Sequence, residues 1–362
     1  MNNSLFLELL NISIGRASSF REVPTNEEWE ELLNEAIKQS LIGITFLGMD
    51  SLDRQRPPLS TYFRWAYYAE KIGESNASHL SDARALSSML REKGVAHCIL
   101  KGQGTAHLYY PRPEMRQSGD IDVWVDCSRD EALSEFSDIC GVGAICYHHF
   151  DIQLFKTTPV EVHIHPSYMN NPFANRRLQK WFDCRKEVCC SNMNEELGFP
   201  VPDAMFSTVY GVVHIFRHLF TEGIGLRQVM DLYYNLLHTG EDQRKEVSSF
   251  IGKLGLTRFT SALMYVEQKV FGLEDEFLLA SPDRSLGEYL FNEIFIAGNF
   301  GKGDARNAHS NSETLLQRAW RKLGRLAHLY RFSFSEVMWA PFYKTWQHIL
   351  YKKFIQPKYI SK

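Results

Sequence analysis

The chain reads as an α+β protein, because three stretches of different periodicity succeed one another along its 362 residues. Helical spacing of apolar residues fills roughly the first 94 positions. Short apolar runs of strand length follow at about 95–165, and helical spacing returns from about Pro202. The expected organisation is a helical region at 1–94, an α/β core at 95–200, and a helical region with a basic, aromatic tail at 201–362.

Thr25-Asn26-Glu27-Glu28 forms a capping box, after which Trp29, Leu32, Leu33, Ala36 and Ile37 share one helical face. Pro57-Pro58 interrupts the pattern. Phe63, Ala66, Tyr67, Ile72, Leu80, Leu86, Met89 and Leu90 resume it over 60–93, with Gly94 placed as a C-cap. In the core, strands are expected at 96–100, 121–125, 144–147, 152–156 and 160–165, and helices at 104–110 and 129–138. Beyond Pro202, helices are expected at 203–219, 226–237, 246–254, 257–270, 285–295 and 312–329, and the Gly- and Asn-rich 298–312 stretch reads as a loop.

A net charge of −3 gives no global case for nucleic acid or membrane, although 304–362 carries eleven Lys/Arg against three Asp/Glu. Aromatics interleave that basic stretch, including Trp320, Trp339, Trp346, Tyr351, Phe354 and Tyr359. Two readings stand: a surface for RNA or anionic lipid, or an aromatic core under a solvated basic face. Pro341 and Pro357 argue against one continuous amphipathic helix there. The seven cysteines lack C-x-x-C spacing and no signal peptide precedes them, which reads as reduced thiols in a cytoplasmic protein. The most apolar long segment, 204–220, contains His214, Arg217 and His218 and is too polar for a lone membrane span.

Chemistry concentrates at 95–125. A short apolar run ends in Lys101-Gly102, and Asp120-Ile121-Asp122 opens another. Alternate residues of a strand share a face, so Asp120 and Asp122 project together. Paired carboxylates repel unless a cation lies between them, and Mg²⁺ prefers oxygen ligands. Val160-Glu161-Val162-His163-Ile164-His165 also alternates, placing Glu161, His163 and His165 on one face. If that strand lies beside the first, Glu161 completes a triad for one or two Mg²⁺ ions, about 3.5–4 Å apart, that neutralise a triphosphate.

Lys101 and Arg116 are the local candidates for triphosphate charge, and equally for pairing with the acids. His163 suits a metal, an acceptor or a structural role; His148-His149 reads as exposed. His214 and His218 share a helical face without a diagnostic third zinc ligand, which favours packing or a polar role in a cleft. Arg227 and Asp231 read as an intrahelical ion pair, or as a helix that sets Arg227 near phosphate.

Lys101-Gly102, Leu108-Tyr109-Tyr110-Pro111, Arg116, Asp120-Ile121-Asp122 and Val160-Glu161-Val162-His163 together resemble the uncharacterised nucleotidyltransferase family of the DNA polymerase β-like superfamily. Gly225-Leu226-Arg227-Gln228-Val229-Met230-Asp231-Leu232 resembles that family's Arg…Asp helix. The resemblance implies a small mixed sheet with packed helices and Mg²⁺-dependent transfer of a nucleoside monophosphate from an NTP such as ATP. It implies metal binding by Asp120 and Asp122, with Glu161 as the third acid that helps activate the acceptor. Gly102 matches the glycine of the phosphate turn. Gln103 stands where the wider superfamily has Gly or Ser, with Gly104 next and Thr105 as the hydroxyl that can substitute. That departure motivates a second reading, a non-catalytic nucleotide-binding or scaffold protein; an RNA-modifying transferase using the basic tail is a third. The acceptor, whether sugar, protein, RNA or small metabolite, is left open.

Overall fold

Strands β1 (His97–Leu100), β2 (Ile121–Val125), β3 (Gly141–Ile145), β4 (His149–Gln153) and β5 (Val160–His163) form one sheet, ordered β1-β2-β5-β4-β3. They are seen in a computed structural model that describes residues 3–301, 324 and 326–350. β2 runs antiparallel to β1 and parallel to β5, while β4 is antiparallel to both β5 and β3. The sheet is therefore mixed, and with helices on either side in the chain the fold is α+β.

Alternation along the strands divides the sheet into an apolar face and a chemical face. Ile121, Val123, Val125, Phe150, Ile152, Val160 and Val162 join one buried cluster. Opposite them pack Ala83, Leu86 and Leu90 of the long helix α4 (Leu59–Glu92) and Ala132, Leu133 and Phe136 of α6 (Arg129–Ser137). The other face carries Asp122, Trp124, Glu161 and His163. Trp124 stacks on Phe206 of α8 (Ala204–Thr221) at 5.5 Å and meets Phe182 of α7 (Pro172–Ser191) edge-on at 6.2 Å. This contact sits two residues beyond Asp122 and docks the C-terminal helices beside the carboxylates.

A second, larger apolar cluster joins the N-terminal helices α1 (Asn3–Ser13), α2 (Asn26–Gln39) and α3 (Ile42–Asp50) to α7–α9 and α11–α12. Here α9 spans Leu226–His238, α10 Glu241–Lys253, α11 Thr257–Phe271, α12 Arg284–Ala297 and α13 Phe334–Leu350. Polar links follow the same path: the Leu226 N–H donates to Gln39 Oε1 (2.8 Å), and Asn76 Nδ2 on α4 donates to the carbonyls of Glu114 (2.7 Å) and Arg116 (2.8 Å). Asn76 thereby ties α4 to the segment that carries Arg116.

Several elements depart from expectation. The capping box at Thr25 forms and Trp29, Leu32, Leu33 and Ala36 are buried, but Ile37 is exposed. On α4, Ile72 is buried as expected, but Phe63 and Tyr67 are exposed, and Trp65 and Ala69 face inward instead. β3 and β4 lie at 141–145 and 149–153, ahead of the expected 144–147 and 152–156, because pairing to β5 through His149↔His163 and Ile152↔Val160 fixes their register. Helix α7 was not expected. Its N-terminus is marked by Asn171, whose side chain accepts from Phe173 and Ala174, with Pro172 at the first helical position. Pro341 lies inside α13 without ending it. Most of the expected 312–329 helix, part of the 298–312 loop, and Trp320, Tyr351, Phe354, Pro357 and Tyr359 lie outside the described residues. Among the described residues, no helix is long and apolar enough to cross a membrane.

Candidate active site

The chain reverses between β1 and α5 (Gly102–Tyr109) through two successive left-handed residues, Lys101 (φ 37°) and Gly102 (φ 50°). Glycine adopts this region freely, whereas lysine is strained there. The result is a lysine side chain turned onto the first residues of β2. Lys101 Nζ lies 3.0 Å from Asp122 Oδ2 and 3.8 Å from Asp120 Oδ2. Burial opposes the ammonium charge, but Asp120 and Asp122 more than offset it and hold the lysine well above its ordinary range.

The parallel pairing of β2 and β5 sets Asp122 opposite Glu161. Asp120, Asp122 and Glu161 each offer a carboxylate oxygen, and these atoms lie within 4.8 Å of one another. His163 stands between two of them, its Nε2 donating to Asp122 Oδ1 at 2.8 Å and lying 3.3 Å from Glu161 Oε2. Burial alone would favour neutral imidazole; hydrogen bonds to both carboxylates overcome it and raise His163 to about 9. Burial likewise works against the Glu161 charge, yet His163 and Lys101 lower its carboxyl to about 2. Three carboxyl groups thus face two cations, Lys101 and His163.

Beside this group opens a narrow cleft. Lys101, Gly102, Thr105 and Asp120 line it from the sheet side, and Tyr210 and His214 of α8, Arg227 and Gln228 of α9, and Phe300 from the other. His214 stacks on Tyr210 at 5.3 Å, and burial keeps it well below the ordinary histidine range.

Two arginines at the rim behave differently. Arg116 is buried and gives its Nε (3.0 Å) and Nη2 to the two oxygens of Asp231, which also accepts from the Tyr110 hydroxyl at 2.7 Å. The i,i+4 pair between Arg227 and Asp231 does not form, because both oxygens of Asp231 are already taken. Arg227 instead donates to the Gln117 carbonyl at 2.7 Å and lies over the Phe300 ring at 5.8 Å. Among the described residues it has no carboxylate within ion-pair distance. Burial, then the neighbouring Arg116, pulls its pKa down, the mark of an uncompensated buried charge.

Gln103 does not face the cleft. Its Nε2 donates to Ser118 Oγ (3.2 Å) and Asn76 Oδ1 (3.4 Å), and Arg116 Nη1 reaches the same Ser118 hydroxyl at 3.0 Å. A buried amide network braces the turn from behind, which accounts for a large residue next to Gly102. Gly104 is also buried, where an added Cβ would lie 3.1 Å from Val201. His165 stacks on Tyr147 at 5.0 Å, away from the carboxylates, and His218 lies 3.5 Å from Glu222. His148 and His149 are not exposed as their sequence position implied. The turn into β4 folds both against the chemical face, with His149 Nδ1 3.9 Å from Glu161 Oε2. Tyr210, Gln228 and Phe300 were missed; Tyr210 alone carried a signal, lying one helical turn before His214.

Over residues 25–272 the chain matches the model of a family described as "Uncharacterised nucleotidyltransferase". No curated relative matches it.

Proposed function

Because that match spans well over half its length, the chain belongs to the uncharacterised nucleotidyltransferase family, and from this premise we propose Mg²⁺-dependent transfer of a nucleoside monophosphate from an NTP to an acceptor. The observation that carries the reading is the register of Asp122 opposite Glu161, with Asp120 and Lys101 beside them on the floor of the cleft. The donor set fits a hard divalent cation, since three carboxylate oxygens converge and Mg²⁺ takes oxygen ligands. Bound by Asp120, Asp122 and Glu161, Mg²⁺ would supply charge neutralisation at the triphosphate and alignment of the attacking atom.

The side chains supply the rest. Lys101 neutralises the aspartates and would be available to phosphate oxygens with a cation bound there. Gly102 offers the backbone of the turn, and Thr105 a hydroxyl on the same wall. Arg227 is the uncommitted cation of the opposite wall. Glu161, held ionised, serves as a ligand, while His163 fixes its orientation and that of Asp122. Arg116 and Asp231 position the wall rather than hold phosphate. In the transfer itself, a bond forms from the acceptor oxygen or nitrogen to the α-phosphorus and the α–β anhydride bond breaks. Pyrophosphate leaves with the electron pair, and the acceptor's proton passes to solvent or a site carboxylate.

The test uses α-labelled NTPs, Mg²⁺ and a cell extract as the source of acceptors. Label should move to an acceptor with the intact chain, and Asp122→Asn should abolish this while leaving the circular dichroism spectrum unchanged. Undiminished transfer by a folded Asp122→Asn protein, or no Mg²⁺-dependent NTP binding by the intact chain, would overturn the assignment.

A further inference from the structure

The chemical face holds a second ligand constellation, which shares Glu161 and His163 with the first and adds His149. His149 and His163 are direct partners across β4 and β5, and Glu161 lies two residues from His163 on the same face. One ligand atom from each of His149, Glu161 and His163 lies within 4.8 Å of the others. His163 Nε2 is 3.3 Å from Glu161 Oε2, and His149 Nδ1 is 3.9 Å from the same oxygen. Bonds of about 2.0–2.2 Å set the ligands of one ion roughly 3–4.2 Å apart, so small side-chain rotations close this group on a cation.

The donor chemistry differs from that of the neighbouring acids. Three carboxylates suit Mg²⁺, whereas two imidazoles and one carboxylate suit zinc and similar transition ions. The His149 ring is held by its surroundings, with Nε2 3.6 Å from Asp151 Oδ1 and Nδ1 2.9 Å from His148 Nε2. A carboxylate beside the second nitrogen is the usual way a ligating imidazole is oriented, and His148 is placed to add a further nitrogen.

We propose that His149, His163 and Glu161 form a transition-metal site of the zinc class, in which the ion would displace to solvent the Nε2 proton that His163 otherwise donates to Asp122, and which is separate in selectivity from the Asp120/Asp122 position and joined to it through Glu161. The shared carboxylate makes the cleft a mixed-metal centre, with an oxygen-only position for Mg²⁺ and a nitrogen-rich position for the second ion.

Co²⁺ is the probe, because it takes the same ligands as Zn²⁺ and absorbs in the visible. The chelator-treated full chain should bind one Co²⁺ with a nitrogen-ligand d–d spectrum that added Zn²⁺ bleaches and millimolar Mg²⁺ does not. His149→Gln should lose that spectrum, and Asp120→Asn should keep it. No Co²⁺ spectrum from the intact chain, an unchanged spectrum in His149→Gln, or bleaching by Mg²⁺ overturns the proposal. Circular dichroism on each variant separates a lost ligand from a lost fold; if His149→Gln unfolds, the conservative His149→Asn takes its place. The two readings fail separately, since a chain that binds Co²⁺ through His149 but transfers no nucleotide sinks only the transferase assignment.

Discussion

Replacing Arg116 by alanine separates a clamp from a phosphate ligand. Arg116 is almost wholly buried, and its fork grips both oxygens of Asp231 while the Tyr110 hydroxyl takes a remaining lone pair. Burial disfavours the guanidinium charge, and Asp231 restores it with enough to spare that the arginine stays above its ordinary range. Removing one partner of such a pair leaves an uncompensated buried charge, at a cost of about 3–5 kcal/mol. At roughly 2 °C per kcal/mol, the lower end for larger domains, the midpoint of thermal unfolding should fall by about 6–10 °C. The double variant Arg116→Met/Asp231→Leu should recover most of that loss, because it removes both charges and keeps the volume. Differential scanning fluorimetry reads the stability, and calorimetry with a Mg²⁺–NTP complex reads binding on the same samples. A folded Arg116→Ala protein with an unchanged midpoint and sharply weaker NTP binding would refute the clamp and return Arg116 to the triphosphate.

Arg227→Met should act in the opposite sense, keeping or slightly raising stability while weakening NTP affinity about 10- to 150-fold, the range expected for losing a hydrogen bond to a charged group worth ~1.5–3 kcal/mol. Titration calorimetry decides it, and unchanged affinity would remove Arg227 from the site. Glu267 on α11 is fully buried with both carboxyl oxygens unpartnered among the described residues, and burial holds it well above the ordinary glutamate range. Glu267→Met should therefore stabilise the protein by about 1–3 kcal/mol at neutral pH. The folded pKa exceeds the unfolded one, so the wild-type contribution is complete below about 4.3 and is lost as pH rises toward the folded value. The gap between variant and wild type should widen from pH 4 upward; a gap constant with pH would show that Glu267 is not a displaced acid.

What the sequence disclosed was what local pattern controls. β2 appears at its expected residues because Ile121, Val123 and Val125 recur at every second position, and that period also put Asp120 and Asp122 on one face. The Thr25 capping box is likewise a contact within four residues. Less legible was anything set by a partner distant in the chain. The Gly141-Val142-Gly143 start of β3 has no apolar alternation to betray it, and its place follows from β4. His149 entered the site by cross-strand register rather than by any motif of its own. The fate of Arg227 turned on Tyr110 and Arg116, more than a hundred residues away, which had already claimed Asp231. In Gln103, an apparent departure from the phosphate turn proved to be a buried brace, and only tertiary hydrogen bonds could reveal that.

The distribution of charge across the cleft gives these separate residues a common logic. On the sheet side, the carboxyl groups of Asp120, Asp122 and Glu161 face two cations, Lys101 and His163. Across the opening, Arg227 is one positive charge in excess, while the other arginine of the rim is spent on Asp231. A buried charge without a carboxylate partner, as Arg227 is among the described residues, is costly for stability alone. Under the proposed function, a divalent cation would answer the carboxylates and a polyphosphate would answer Arg227. Neither ion alone balances both sides. Lys101 belongs to the same balance, because its left-handed conformation sets the ammonium against Asp120 and Asp122.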